Sequence, residues 1–321
     1  MPIGPSAASG SNLPRFASGT PRWRVWFRAV RPRSFTTSTL PIVAAAALAM
    51  IAGPIDPALF VLMLLASIAT HAACNLTNDY FDDRRGVDSA ATLGQGGALQ
   101  SGELTHDDLR NGILASFGIA ILCAIPVIVA VGPIVFWIGL FSAAAAYLYT
   151  AGPFPLAYWA LGEVTVFFAM GIGMVCGAYY VLRGDVSVPA ILLGAAIGSL
   201  AAAFLHANNM RDVETDRAMH KRTLANLLPH RGAIAWYVLL IGTSYLLAVV
   251  MVAVRPQVFP VLLAWLSFPT AWSLANRVRL ATTSAELNVI TRQSAGLHLR
   301  YCTLASLGLA LAVLLSRIGL I

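Results

Sequence analysis

An all-α integral membrane protein, a bundle of about nine transmembrane helices, is the fold class this sequence predicts, and three observations predict it. The chain has 321 residues of which 58% are hydrophobic and only 11% charged, where soluble domains carry about 25% charged residues. Its mean hydropathy is +0.74. Several apolar runs exceed the ~18 consecutive residues that mark a membrane-crossing helix.

Taken in chain order, the first 21 residues are rich in Gly, Ser, Ala and Pro, a composition that predicts a disordered arm. The first apolar run comes only after an arginine-rich segment, so no cleavable signal is expected. Residues 22–321 then read as one membrane domain. Apolar runs place spans at 35–53, 57–78, 111–131, 133–150, 158–182, 188–209, 233–254, 256–276 and 300–319. Tight hairpins are expected at Val131-Gly132-Pro133 and Val254-Arg255-Pro256, where Gly and Pro punctuate the chain. The long polar loops 79–110 and 210–232 fall on one side.

The formal charge is +7, and Lys221 is the only lysine. With the N-terminus in the cytoplasm, eighteen of the 21 Lys and Arg residues lie on that side, leaving Arg183, Arg255 and Arg317 opposite. This is the positive-inside pattern of a protein in the cell membrane, so the basic balance calls for no nucleic-acid partner. An odd span count puts the C-terminus outside. Cys74, Cys123, Cys176 and Cys302 fall inside or at the ends of spans without a CxxC pair, which suggests packing residues and neither a zinc site nor a disulfide framework.

The chemistry lies in a repetition. Asn75-x3-Asp79-x3-Asp83 ends the second span, and Asn208-x3-Asp212-x3-Asp216 ends the sixth. On a helix, positions four apart share a face, so each copy makes a stripe of oxygen atoms. Asn78, Asp82 and Asp88 add oxygens to the first copy, and Asn209 and Glu214 to the second. Clustered carboxylates without His or Cys support suit a hard cation, Mg²⁺ before Zn²⁺ or copper. Mg²⁺ combines a few carboxylates with substrate phosphate oxygens, so two facing stripes fit a diphosphate held through bridging ions. An EF-hand is excluded, because its glycine and terminal glutamate are not at the required positions. A transporter would carry its ligands at mid-span, whereas these lie at span ends.

Basic residues flank the stripes: Arg31 and Arg33 before the first span, Arg84 and Arg85 after the first stripe, and Arg211, Arg217, Lys221 and Arg222 around the second. Among them Arg33, Lys221 and Arg222, together with Asn75, are the candidates for contacting diphosphate oxygens. His71 and His206, close before each stripe, are candidates for binding an acceptor or moving its proton, or else structural hydrogen-bonding groups. Glu163 is an intramembrane acid and joins them.

Three stretches carry a family resemblance: "NLTNDYFDDRRGVD" (Asn75–Asp88), "YTAGPFPLAYWALGE" (Tyr149–Glu163) and "NNMRDVETDRAMHKRTLA" (Asn208–Ala225). They resemble the UbiA superfamily of intramembrane prenyltransferases, and within it the dihydroxynaphthoate polyprenyltransferases of menaquinone biosynthesis. The likeness runs from "RPRSF" (Arg31–Phe35) to the last span. It implies helices around a central cavity and Mg²⁺-dependent transfer of a polyprenyl group from its diphosphate to an aromatic ring, with two ions bridging the diphosphate. It nominates Asn78, Asp79, Asp82 and Asp88 from the first motif, and Asn208, Asp212 and Asp216 from the second, as metal ligands. Asp79, Asp212 and Tyr149 are the implied catalytic residues. Spacing alone selects Asp83 where the family pattern selects Asp82, which leaves Asp83 as a supporting candidate. The loop Thr92–Gly102 lacks the basic residue such stretches often hold, and "YTAG" stands where a second glycine is more usual. Tyr147, Tyr149 and Phe154 are candidates to face an allylic cation with their rings. The acceptor stays open between dihydroxynaphthoate, which would lose CO₂, and hydroxybenzoate, homogentisate, a quinolone or a sugar phosphate.

Overall fold

The computed structural model describes residues 21–86 and 97–321. Among them, eight helices are long and apolar enough to cross a membrane, and a shorter apolar helix, Pro133–Leu148, makes a ninth candidate.

Helix α1 (Arg22–Val30) follows Pro21 and is amphipathic. It buries Val25 and Ala29 against Leu76, Leu104, Leu109 and Ile113 while exposing Trp23 and Phe27. The chain turns at Arg31, whose φ of 55° is left-handed, into a 3₁₀ turn (Pro32–Phe35) and then α2 (Thr36–Ala52). Asp56 caps α3 (Pro57–Arg84), its Oδ1 accepting from the Ala58 and Leu59 amides at 2.8 and 3.3 Å, with Pro57 in the first turn where its missing N–H costs nothing. Thr105 and Asp108 form a reciprocal capping box at the start of α4 (His106–Val131). Gly132, at φ 114°, makes the tight hairpin into α5 (Pro133–Leu148).

After a loop containing the 3₁₀ turn Leu156–Tyr158, the next span is assembled from α6 (Gly162–Val166), a π-helical segment (Phe167–Gly173) and α7 (Met174–Arg183). Helix α8 (Val188–Arg211) lies at the centre of the bundle, with Leu193, Ala196, Ile197, Leu200, Ala201, Ala202 and Ala203 all buried. Its Gly194 and Gly198 let the π-helical backbone at Gly171 approach directly: a Cβ on Gly198 would stand 3.1 Å from Gly171 Cα. Small residues four apart are a membrane solution for close packing, where lipid offers no hydrophobic drive. Two short helices, α9 (Val213–Ala218) and α10 (Leu224–Leu227), lead to α11 (His230–Val254). The eighth run begins as a 3₁₀ stretch, Pro256–Ser267, and continues as α12 (Phe268–Leu280). A capping box at Thr283 and Glu286 starts α13 (Ser284–Arg317).

Buried polar side chains find partners inside the bundle. Tyr237 pairs with Ser294 and Tyr245 with Ser267, each at 2.7 Å, and Tyr301 donates to the Ser244 carbonyl at 2.8 Å. In hydrocarbon an unmade hydrogen bond is costly, so these contacts fix the register of α11 against α13 and the 3₁₀ stretch.

Boundaries differ most at the end of the chain. The expected span 300–319 is the second half of a 34-residue helix that starts at Ser284, because Glu286, Arg292 and Arg300 lower the hydropathy of its first half. Helices α3 and α4 likewise extend six and five residues beyond the expected apolar limits, to Arg84 and from His106.

Candidate active site

Helix α3 runs unbroken through the first motif, so its polar residues leave the helix in fixed directions. Asn75 is buried, and its amide nitrogen donates to the Val30 carbonyl at 2.9 Å and to Ser34 Oγ at 3.1 Å. It therefore pins the end of α1 to α3. Asp79, one turn on, is buried and ion-paired with Arg31, which the left-handed turn carries into the bundle. Asn78 Oδ1 accepts from Thr150 Oγ1 at 2.6 Å, and Asp82 Oδ1 accepts from the Tyr158 hydroxyl at 2.6 Å. Asp83 points elsewhere: it lies 3.0 Å from His106 Nε2 and accepts from Gln100 Nε2 at 2.9 Å. Asp88 and Thr92–Gly96 lie outside the described residues, as does the arm 1–20.

The second motif has the same spacing but not the same geometry. Helix α8 stops at Arg211, and Asp212 is its C-cap at φ −99°, ψ 11° before α9 resumes. Arg211 grips the Asp212 carboxylate with two hydrogen bonds, 2.7 Å from Nε and 2.6 Å from Nη2. Its Nη1 donates to Asn288 Oδ1 of α13 at 3.2 Å. Asn208 donates to Asp212 Oδ2 at 3.4 Å. Asp216 is 2% exposed and pairs with Lys221 Nζ at 3.1 Å, while its Oδ2 has no hydrogen-bond partner among the described residues. Burial pushes the Asp216 carboxyl above the usual range, Lys221 pulls it back, and the nearby Asp212 and Asp82 carboxylates push it up again.

The loop 149–161 joins the two motifs. Arg85 donates to the carbonyl oxygens of Thr150 and Gly152, and its guanidinium stacks 5.0 Å from the Tyr158 ring. Lys221 Nζ lies 5.6 Å from the same ring on its way to Asp216. Backbone bonds complete the joint: Arg222 N donates to Tyr158 O at 3.1 Å, and Ala160 N to Arg222 O at 2.8 Å. Burial and the Asp82 carboxylate hold the Tyr158 hydroxyl far above its ordinary range, so it stays a donor. Tyr149, whose hydroxyl packs beside Gly162, is raised likewise, by burial and then by the Glu163 charge.

Behind this joint lies a buried polar unit. His206 Nδ1 is 3.0 Å from Glu163 Oε1, and its Nε2 donates to the Ala233 carbonyl at 3.0 Å. Asn209 donates to the same Glu163 oxygen at 2.9 Å, while Glu163 Oε2 has no partner among the described residues. His71 instead bridges Ser38 Oγ (2.9 Å) and Ser34 Oγ (3.2 Å), a contact between α3 and the start of α2. Arg33 is exposed, and so is Arg222, which stacks 6.0 Å from the Trp159 ring. Tyr147 meets Phe81 edge-on at 6.0 Å, and Phe154 packs beside Trp159.

The structure thus brings Asp82 and, through Lys221, Asp216 to Tyr158, and ties Asn78 to Thr150 of the same loop, with Asp79 and Asp212 held by arginines. Sequence reasoning passed over Tyr158, although it lies in the quoted loop, and preferred Arg33 to Arg31. The signal for Arg31 is its contact with Asp79, which only the left-handed turn creates.

The donor chemistry fits Mg²⁺. Every motif side chain offers oxygen, and Asp216 Oδ2 is a buried carboxylate oxygen left without a donor. Among the described residues no group of three or more His, Cys, Asp or Glu lies close enough together to hold a metal ion. Arg31 and Arg211 occupy two of the aspartates instead.

The sequence profile of the UbiA prenyltransferase family matches residues 39–289. The 1,4-dihydroxy-2-naphthoate octaprenyltransferase of Bacillus subtilis (strain 168) is 32% identical over 244 residues, 75% of this chain and 78% of that protein. UbiA prenyltransferase domain-containing protein 1 of Gallus gallus is 32% identical over 279 residues, 84% of this chain and 80% of that protein. The fold matches a UbiA homolog from Archaeoglobus fulgidus bound to GPP and Mg²⁺ with a TM-score of 0.62 at 18% identity, over 88% of this chain and 99% of that one.

Proposed function

The chain belongs to the UbiA prenyltransferase family, and from that premise we propose that it transfers a polyprenyl group from its diphosphate to 1,4-dihydroxy-2-naphthoate, with loss of CO₂. The observation that carries this reading is the joint itself: two Asn/Asp motifs, distant in sequence, meet around Tyr158 and Lys221 at one end of an apolar bundle. Substrates with a greasy tail and a charged head need that placement. The acceptor rests on the naphthoate prenyltransferases among the relatives, three of which are 28–32% identical.

In this reading Asn78, Asp79, Asp82, Asn208, Asp212 and Asp216 hold Mg²⁺, with Asp88 from the adjoining segment. The ion, when bound, offsets the diphosphate charge and makes it a better leaving group. Lys221, Arg31 and Arg211 bind and orient the diphosphate oxygens, and Arg33, Arg222 and Asn75 support that end of the bundle. Tyr158 holds Asp82 in place through its hydroxyl. As the allylic C–O bond breaks, the apolar walls keep water from the cation and the Tyr149 ring faces it. The electron-rich acceptor carbon then forms the new C–C bond and expels its carboxyl group as CO₂. Glu163 and His206 take the phenolic proton as the ring attacks and return it when loss of CO₂ restores the aromatic diol. The arginine distribution supports a cytoplasmic motif end and a C-terminus outside the cell membrane.

The test is prenylation by the purified chain in lipid vesicles, given a polyprenyl diphosphate, Mg²⁺ and a panel of aromatic acceptors. Mass spectrometry should find prenylated, decarboxylated naphthoate. Asp216→Asn should lower the rate about 10²–10³-fold with the melting temperature retained, and chelation should abolish product. A rate untouched by Asp216→Asn would sink the assignment; prenylation of another acceptor alone would move the substrate.

A further inference from the structure

We propose that the groove between α11 and α12 at the motif end is a binding site for an anionic phospholipid, its phosphate held by Arg231 and Arg279. The groove is open to the surface, has a volume of about 440 Å³ and is lined by Arg231, Ile234, Ala235, Val238, Leu239 and Arg279. The five α11 residues fall at i, i+3, i+4, i+7 and i+8, so they form one stripe along two turns. That stripe is about 12 Å long. It begins with a charge in the first turn of α11, beside that helix's positive end, and continues as apolar surface alone. Arg279, in the last turn of α12, closes the charged end from the other side.

Both arginines are exposed, and among the described residues neither makes an ion pair or a side-chain hydrogen bond. Two charged residues close to Arg279 in sequence are already engaged. Glu286 is spent capping α13 through the Thr282 and Thr283 amides at 2.9 and 3.0 Å, and Arg277 donates to Gln293 at 2.6 Å. Two free guanidiniums above an apolar stripe match a molecule with a phosphate at one end and an acyl chain below it. Leu239 is 56% exposed on the surface of a membrane span, so the stripe meets lipid and not water. Positive-inside bias explains arginines at this level in general. It does not explain why these two share a cavity whose remaining walls are apolar. A net-negative headgroup is favoured over a zwitterionic one, whose amine would face the same two cations.

The proposal rests on the membrane fold and not on the transfer reaction. Native mass spectrometry of the detergent-purified chain, titrated with phosphatidylglycerol or phosphatidylcholine of the same acyl length, tests it. Phosphatidylglycerol should be retained in preference, and Arg231→Gln/Arg279→Gln should weaken it about thirtyfold, each arginine accounting for about fivefold. Ala235→Trp keeps both charges but fills the groove, and should displace the lipid as well, which guards against misreading a folding defect. Equal retention of the two lipids overturns the proposal, as does retention unchanged in both variants. Displacement of phosphatidylglycerol by millimolar glycerol phosphate or inorganic phosphate would also overturn it, by assigning the arginines to a free anion.

Discussion

Glu163 and His206 are joined in the interior at 2% and 0% exposure, with Asn209 and the Ala233 carbonyl as the other partners. Removing one member of such a pair strands the other. His206→Ala should destabilise the protein by about 3–5 kcal/mol. A double-mutant cycle with Glu163→Gln, read by thermal unfolding in detergent, should show strong coupling, and simple additivity of the two changes would refute the pairing. The neighbouring problem, Asp82 against Asp83, shows what the sequence carries at this scale. Adjacent helical positions point about 100° apart, so one aspartate meets Tyr158 and the other His106 and Gln100. The repeat of spacing selected Asp83 on the premise that both copies are straight helices. The second copy breaks at Asp212, so Asp216 does not occupy the direction that Asp83 takes from α3. Residue types and their clustering were legible; the break was not, because it depends on the grip of Arg211 on Asp212 and on Asn288 far along the chain.

At the level of elements, the crossing of α8 with the π-helical segment is set by backbone and not by side chains. A Cβ on Gly198 would meet the Phe167 carbonyl oxygen at 2.5 Å, whereas one on Gly242 of α11 meets nothing within 4 Å. Gly198→Ala should therefore cost about 1–3 kcal/mol or more through overpacking. Gly242→Ala should be neutral or stabilising by up to about 1 kcal/mol. Thermal unfolding of the two variants side by side checks this, and equal behaviour would refute the close crossing. Spans were legible because an apolar run needs no partner to reveal it. Where charges interrupt the run, as at Glu286, Arg292 and Arg300, half of α13 read as loop. Helix α1 escaped notice for a related reason: its burial falls on Val25 and Ala29, too few residues to register as a run.

Across the whole molecule, the two motifs and the joining loop occupy one end, and the turn at Gly184 occupies the other, where Arg183 donates to the carbonyls of Ala52 and Pro54. If the motif end is cytoplasmic, a membrane-impermeant maleimide should label Asp185→Cys in intact cells and Glu214→Cys only after permeabilisation, in a background lacking the natural cysteines. The reverse pattern would invert the topology. The length of α13 adds something further. Its 34 residues span about 51 Å, against ~30 Å of hydrocarbon. Glu286, Arg292 and Arg300 lie in its first half, the run from Cys302 to Leu315 is almost wholly apolar, and Arg317 ends it on the other side. Standing upright, the helix would rise proud of the lipid at the motif end, like a mast, and it is from this stretch that Asn288 reaches Arg211. In the proposed reaction the aspartates would then sit at a tide line, with ions and diphosphate reached from the wet side while the isoprenoid tail never has to leave the oil below.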